Sequence, residues 1–312
     1  MMPSIRRAVV LLASGAVAVL VATMLLADGA DYQPWSYHYF RGDYAKVGWV
    51  YERMIAQKND AENVFMGSSH VLNAVDDELI SRRLGPGSAY NAAIATSGRN
   101  LEFVVLRDIL ARNRPKRLFL EVRETEERTS HFGFAVLGTV SDVIEAPVNP
   151  WWPRDTLAML QHRFEFLLSK LSLAQPSPAR GQTPQFGFIP NPDQAAREKL
   201  ARDAEAMARN KRWRILPRPL GDVEFRANMI YVEQIARLCR DLGIELHFLH
   251  LPFAGAPTAP VHAAFYRSLG TLHLLPTAFL TDLQYWSDIT HFNAKGAEAY
   301  SRWLADDVLR RK

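Results

Sequence analysis

One cysteine in 312 residues, Cys239, excludes a disulfide within the chain, so the core must hold without covalent staples. Its helical setting, Ala236-Arg237-Leu238-Cys239, makes it a small buried hydrophobe rather than a reactive thiol. No block of like charge occurs. Thirty-seven Lys and Arg against 33 Asp and Glu leave a formal net charge of +4, scattered along the chain. A nucleic-acid partner, which needs a basic stripe or a recognition motif, is therefore not expected. Ligand clusters are missing too: His247 and His250 lie three apart with no third ligand at sensible spacing, so no metal site and no cofactor is expected. Internal repeats and low-complexity tracts are also missing.

What is present suits a chain able to bury a sizeable core, 48% hydrophobic with 22% charged residues. Residues Ala8 to Ala27 are uncharged and apolar, and Arg6 and Arg7 precede them. About 20 such residues span a bilayer as a helix, and flanking arginines favour the cytoplasmic side. The expectation is an N-terminal membrane anchor over 1–27 with the body exported to the periplasm of a bacterium. A cleaved signal peptide is the competing possibility, but its apolar region usually runs to ~7–15 residues, and Asp28 stands where a small residue is wanted. Residues 28–62 read as a juxtamembrane linker and helix. There Trp35, Tyr37, Tyr39 and Trp49 either sit at lipid headgroups or pack against the domain.

From residue 63 to 312 the pattern alternates strand with helix. Asn63 to Met66, Ser88 to Ile94, Arg117 to Val122 and Ile244 to Leu251 read as buried strands. Asp76 to Leu84, Leu101 to Arg112, Phe225 to Leu242 and Gly296 to Leu309 read as helices. The fold class expected is α/β: a three-layer, mostly parallel sheet flanked by helices, flavodoxin-like in organisation, whose sites lie at the C-terminal ends of the strands. Alternation is lost between about 131 and 220. Trp151-Trp152-Pro153, the proline-rich stretch Pro176 to Pro192 and the charged helix Gln194 to Arg212 mark that region as an insertion. The tryptophan pair is a candidate for stacking on a sugar ring, or for the core.

Two short motifs carry the chemistry. Gly67-Ser68-Ser69-His70 follows the first strand, a tight turn into a helix; Asp288-Ile289-Thr290-His291 precedes Asn293 and Gly296 near the C-terminus. A serine hydroxyl is a weak nucleophile until a base takes its proton, and it also needs donors for the oxyanion that forms on the attacked carbonyl. Asp-x-x-His can supply base and orienter, and an amide at a helix N-terminus can supply a donor. Helix capping by Ser68 and Ser69, and an aspartate N-cap beside a surface histidine, are the plainer alternatives. His70 either lines the pocket or is simply packed.

Taken in order, Gly67-Ser68-Ser69, Tyr90-Asn91 to Gly98, and Asp288-x-x-His291-x-Asn293-x-x-Gly296 resemble the blocks of the SGNH (GDSL-like) hydrolase superfamily. The Gly-Ser-Ser form with an N-terminal anchor resembles its envelope branch, which helps O-acylate exopolysaccharides or cell-wall polymers. The resemblance implies Ser69 as nucleophile, His291 as base, Asp288 as its orienter, and the N–H groups of Ser69 and Gly98 as oxyanion donors. Asn91 and Arg123 are the further oxyanion or substrate-binding candidates. It also implies a glycan or other envelope-polymer substrate O-acetylated by acyl transfer, with a carbohydrate or lipid esterase as the hydrolytic alternative, and a multi-spanning membrane acyltransferase as partner. A non-catalytic glycan-binding scaffold of the same fold is the alternative from another class. Two departures stand out: Ser68 replaces the usual Asp before the serine, and Glu121-Val122-Arg123-Glu124-Thr125 follows strand three where the family usually supplies an Asn donor.

Overall fold

The computed structural model describes residues 7–11, 14–15, 18, 31–59, 61–123, 131–144, 152–171, 184–191, 195–210, 220–254 and 256–310. The described strands form one parallel sheet in the order β2-β1-β3-β4-β5: β1 Asn63–Met66, β2 Ala89–Asn91, β3 Arg117–Val122, β4 Glu245–His250 and β5 Thr271–Leu274. The chain starts in the middle, moves to one side for β2 and returns past β1 for β3. That reversal opens a crevice at the C-terminal ends of β1 and β3, where open α/β sheets bind ligands.

Successive side chains of a strand face opposite ways, and the core follows this rule. Val64 and Met66, Leu118 and Leu120, and Leu246 and Phe248 enter one apolar cluster; Phe65, Phe119 and Leu249 enter another. Helices α1 (Tyr32–His38), α2 (Lys46–Val50), α5 (Arg99–Leu110) and α10 (Leu220–Asp241) contribute to the first. Helices α3 (Ser69–Ala74), α4 (Asp77–Leu84) and α13 (Ala294–Trp303) contribute to the second. The terminal helix shows why: Ala297, Tyr300, Leu304, Ala305 and Val308 recur at helical spacing and are all buried.

Sequence and structure agree on β1, β3 and β4 and on the four expected helices, whose ends shift by a few residues, and they differ on the other strands. β2 is shorter than expected, because after Asn91 the chain turns over the end of β1, with Ala92 N–H donating to Phe65 O and Ile94 N–H to Gly67 O. β5 was not expected. It is a partly exposed edge strand, Thr-Leu-His-Leu, without the apolar run that marks a buried parallel strand. The aromatic segment ahead of the sheet packs against the domain in part: Tyr37 and Trp49 are buried, and the Tyr37 hydroxyl donates to Asp108 Oδ2 at 2.9 Å.

The insertion holds α6 (Phe132–Leu137), α7 (Val140–Ile144), α8 (Trp152–Leu171) and α9 (Arg197–Asn210). Its residues 184–191 run as a strap across the sheet edge. Pro184 O accepts from Trp49 Nε1, Gly187 O from the buried Lys46 Nζ, and Asp77 from the Gly187 and Phe188 amides. Ile189 N–H donates to Leu72 O, Asn191 Nδ2 to Ser287 Oγ and Ala195 N–H to Ser287 O. Leu72 belongs to the helix that begins at Ser69, and Ser287 precedes Asp288, so one segment braces both motifs. Any side chain at Gly187 would collide with Asn91 O and Lys46 Nζ, which explains the glycine there.

Of the expected anchor, 8–11, 14–15 and 18 fall within the described residues, as exposed helix. Among the described residues no helix is long and apolar enough to cross a membrane, and the rest of that segment lies outside them. Glu124, Trp151 and most of Pro176 to Pro192 also lie outside them.

Candidate active site

At the end of β1 the four residues of the first motif divide the labour. Gly67 lies against β3, where a Cβ would stand 2.6 Å from Glu121 Oε2 and 2.7 Å from both Glu121 Cβ and Val71 Cγ2. Ser68 is extended and caps α3, its side chain accepting from His70 N–H at 3.3 Å. Capping is thus met by the first serine, and Ser69 Oγ is left for another partner. That partner is His291 Nε2, 2.9 Å away across 222 residues of chain.

The Asp288–His291 loop is tied down on every side. Trp286 pairs with Phe292 in a short antiparallel bridge, and the Ser287 amide donates to His291 O at 2.9 Å. Asn293 caps α13 by accepting from Gly296 N–H at 3.0 Å, while its amide group donates to Gln284 O and Trp286 O. A Cβ at Gly296 would strike Tyr285 O. Within this frame Asp288 Oδ2 lies 2.9 Å from His291 Nδ1, and Oδ1 accepts from the Thr290 amide and hydroxyl, both at 2.7 Å, and from the His291 amide at 2.9 Å. Partial burial alone would raise the Asp288 carboxyl, but hydrogen bonds from His291 and Thr290 hold it well below the usual carboxylate range. An ionised Asp288 keeps the proton on Nδ1 and leaves Nε2 as acceptor for the serine hydroxyl.

The second block meets the same place. Ile94 N–H and Ser97 Oγ both donate to Gly67 O, at 3.0 and 2.8 Å. This brings Gly98, the extended N-cap residue of α5, to the Ser68–Ser69 turn, so that two helices begin there and their positive ends favour negative charge. Thr96 in this loop has φ +55°, a strained conformation for a β-branched residue and of a kind that clusters at functional sites.

Of the other expected residues, Asn91 is not brought to the site. It is fully buried, its amide nitrogen donates to Val71 O, Leu72 O and Val75 O, and its Oδ1 accepts from Ala93 N–H. It closes the C-terminal end of α3 and has no capacity left for a substrate. Arg123 does reach the site edge, donating from Nη1 to Ser97 O at 3.2 Å. With His70, Leu251, Pro252 and Phe253 it borders a cavity of about 70 Å³ beside the triad.

Glu121, Arg99, Glu102 and Ser97 were not assigned a part from the sequence. Glu121 is fully buried at the end of β3, its Oε2 accepting the Ser68 amide at 2.6 Å and its Oε1 lying 3.1 Å from His70 Nδ1. Burial would raise its carboxyl, but His70, Arg123 and that amide together hold it well below the usual range. Arg99, also buried, donates to Glu102 Oε2 at 2.7 Å and to Glu121 O at 2.6 Å, and Ser97 Oγ reaches Glu102 Oε1 at 3.1 Å. The available signal was an acid inside the apolar strand Leu118-Phe119-Leu120-Glu121-Val122: a strand buried on both faces does not carry a charge without a partner.

His247, His250 and His273 lie to the side. His247 Nδ1 meets His273 Nε2 at 2.9 Å across β4 and β5, and the His247 ring stacks on Phe119. His250 borders the cavity, and burial lowers its pKa to about 4. Cys239 is buried, with its thiol pushed up to about 12. Among the described residues no group of three or more His, Cys, Asp or Glu could hold a metal ion. A scan against protein-family models finds no match to this chain, and a search of curated proteins finds none either.

Proposed function

We propose that this protein is a serine acyl-transfer enzyme working through an acyl-Ser69 intermediate. The observation that carries this is the unbroken relay Ser69 Oγ–His291 Nε2 at 2.9 Å and His291 Nδ1–Asp288 Oδ2 at 2.9 Å, with the serine at a helix start. As Ser69 Oγ attacks the acyl carbon, its proton passes to His291 Nε2 and the carbonyl electron pair moves onto oxygen. Collapse returns that pair, breaks the bond to the leaving oxygen and gives it the proton. An acceptor hydroxyl then repeats the sequence in reverse, yielding its proton to His291 as Ser69 departs.

The cavity of about 70 Å³, bordered by Val122, Leu251, Pro252 and Phe253, suits a short acyl group such as acetyl. The resemblance to SGNH envelope proteins and the apolar run Ala8 to Ala27 support a setting at the bacterial inner membrane, facing the periplasm, with an envelope glycan as acceptor. A membrane acyltransferase as the source of the acyl group belongs to the same proposal. Hydrolysis of a glycan ester is the same chemistry with water as acceptor.

The test is the intact mass of the full chain after rapid quenching from an aryl acetate, wild type against Ser69→Ala. An added acetyl mass in wild type alone is the expected result. No adduct and no turnover in a folded wild-type protein would sink the acyl-enzyme and leave the binding scaffold as the better account.

A further inference from the structure

Helix α8 carries apolar residues on two sides, and one of these sides faces outward. Met159, Arg163 and Phe166 point into the molecule and are buried. Arg163 lies over the Tyr32 ring at 4.9 Å, and Phe166 packs on Tyr32 and Trp35 with ring centroids 5.3 and 5.5 Å away. On the opposite side Leu157, Phe164 and Leu168 recur at helical spacing and are 69%, 46% and 46% exposed, with Leu160 partly exposed between them. Gln161 Nε2 donates to Glu165 Oε1 at 2.9 Å along one border, which leaves the stripe itself apolar. A contiguous exposed stripe of this kind marks an interaction surface.

The chain itself indicates what lies beside this face. Lys170, at the end of α8, donates to Asp31 Oδ2 at 2.7 Å. The apolar run Ala8 to Ala27 therefore ends four residues before a contact on α8, at most about 14 Å of extended chain. Phe164 stands six residues from Lys170, about 9 Å along the helix axis. Val9, Val10 and Leu11 of the run are themselves exposed, so they do not cover α8.

We propose that α8 is a second membrane attachment, its outward face sunk about 5–10 Å into the headgroup boundary of a phospholipid bilayer. This rests on the proposed membrane setting of residues 8–27 and not on the chemistry at Ser69. Tethering makes the contact intramolecular, so a face too small to hold a free protein on lipid suffices once the run is inserted. Lipid also receives an apolar stripe without the matched shape that a second protein would have to supply. Two attachments restrain the tumbling that one tether permits, so the domain keeps one side toward the membrane.

The experiment places the full chain, with Cys239→Ala removing the native thiol, in phosphatidylcholine vesicles with and without nitroxide-labelled lipid. Single cysteines from Leu157→Cys, Phe164→Cys or Glu298→Cys carry a fluorophore that brightens in apolar surroundings, and thermal melting checks each fold. Glu298 is the reference, exposed on α13, which packs on the other face of the sheet from α8. The labels at 157 and 164 should lose fluorescence several-fold to the nitroxide lipid, and the label at 298 should lose none. Vesicle-bound protein whose 157 and 164 labels are quenched no more than 298 would overturn the α8 contact and leave the 8–27 anchor standing. Bright labels that ignore the nitroxide and dim as the protein is diluted in lipid would also overturn it, with a second copy as the occupant. Protein that fails to float with vesicles would remove the anchor, and the α8 contact with it; the acyl-Ser69 test, done without lipid, is untouched. Should Phe164→Cys fail to fold, Leu157→Cys, the more exposed site, decides alone.

Discussion

Two acid–histidine pairs flank one serine, and they are built in opposite ways. Asp288 and His291 are three residues apart on a single loop, and the Asp288 side chain is 44% exposed. Glu121 and His70 come from a strand and a helix, and the Glu121 side chain is 0% exposed. The local pair is held by hydrogen bonds within the loop and can be altered without disturbing the core. The distant pair is part of the core: Glu121 binds the Ser68 amide, Arg99 grips the Glu121 carbonyl, and Gly67 yields its Cβ space to the same side chain. A carboxylate can face a histidine at either level, but only the buried one also holds the Ser68–Ser69 turn.

The largest effect that separates them is on rate. Asp288→Asn cannot hold the Nδ1 proton and should lower acylation on the order of 10⁴-fold, with the melting temperature nearly unchanged. Glu121→Ala should do its main damage to folding, costing about 3–5 kcal/mol, because His70 and the Ser68 amide lose a buried charged partner; chemical denaturation measures it. A melting temperature equal to wild type would mean the buried pair holds nothing. Gly67→Ala forces Glu121 aside and should cost about 1–3 kcal/mol in the same assay, with acylation falling as the turn shifts.

Acidity distinguishes the pairs more gently. Both carboxyls titrate below their ordinary range in the folded protein. Each therefore contributes stability that is whole above the unfolded carboxylate range, about pH 4, and is lost as pH falls from there toward the folded value. The buried Glu121 should dominate that slope and the solvent-screened Asp288 contribute little, so Glu121→Gln should flatten acid unfolding followed by circular dichroism, and Asp288→Asn should barely change it. The smallest effect belongs to Ser68→Ala, which removes a helix cap worth about 1 kcal/mol and should leave Ser69 acylation in place.

How much could be read in advance follows the same division. Asp-x-x-His was legible because both groups and the cap Asn293 lie within six residues, inside the reach of local geometry. Ser69 was legible by its position after an apolar strand, although the sequence left open whether it or Ser68 capped the helix; the turn settles that by giving Ser68 the cap. Asn91 was misjudged because a polar residue after a strand looks the same whether it faces a substrate or closes a neighbouring helix. Only the packing of α3 over β2 shows its amide already satisfied. β5 was missed because its stability comes from pairing with β4, not from its own composition.

The sequence by itself determined the alternation that builds a parallel sheet, the glycines that allow tight approach, and a local Asp–His unit, because hydrophobic period and short-range hydrogen bonding act within a few residues. The tertiary structure decided which serine is presented, that Glu121 claims the space Gly67 leaves, and that the 184–191 strap braces both motifs. Those outcomes depend on contacts between residues 53 to 222 positions apart, which no local pattern encodes.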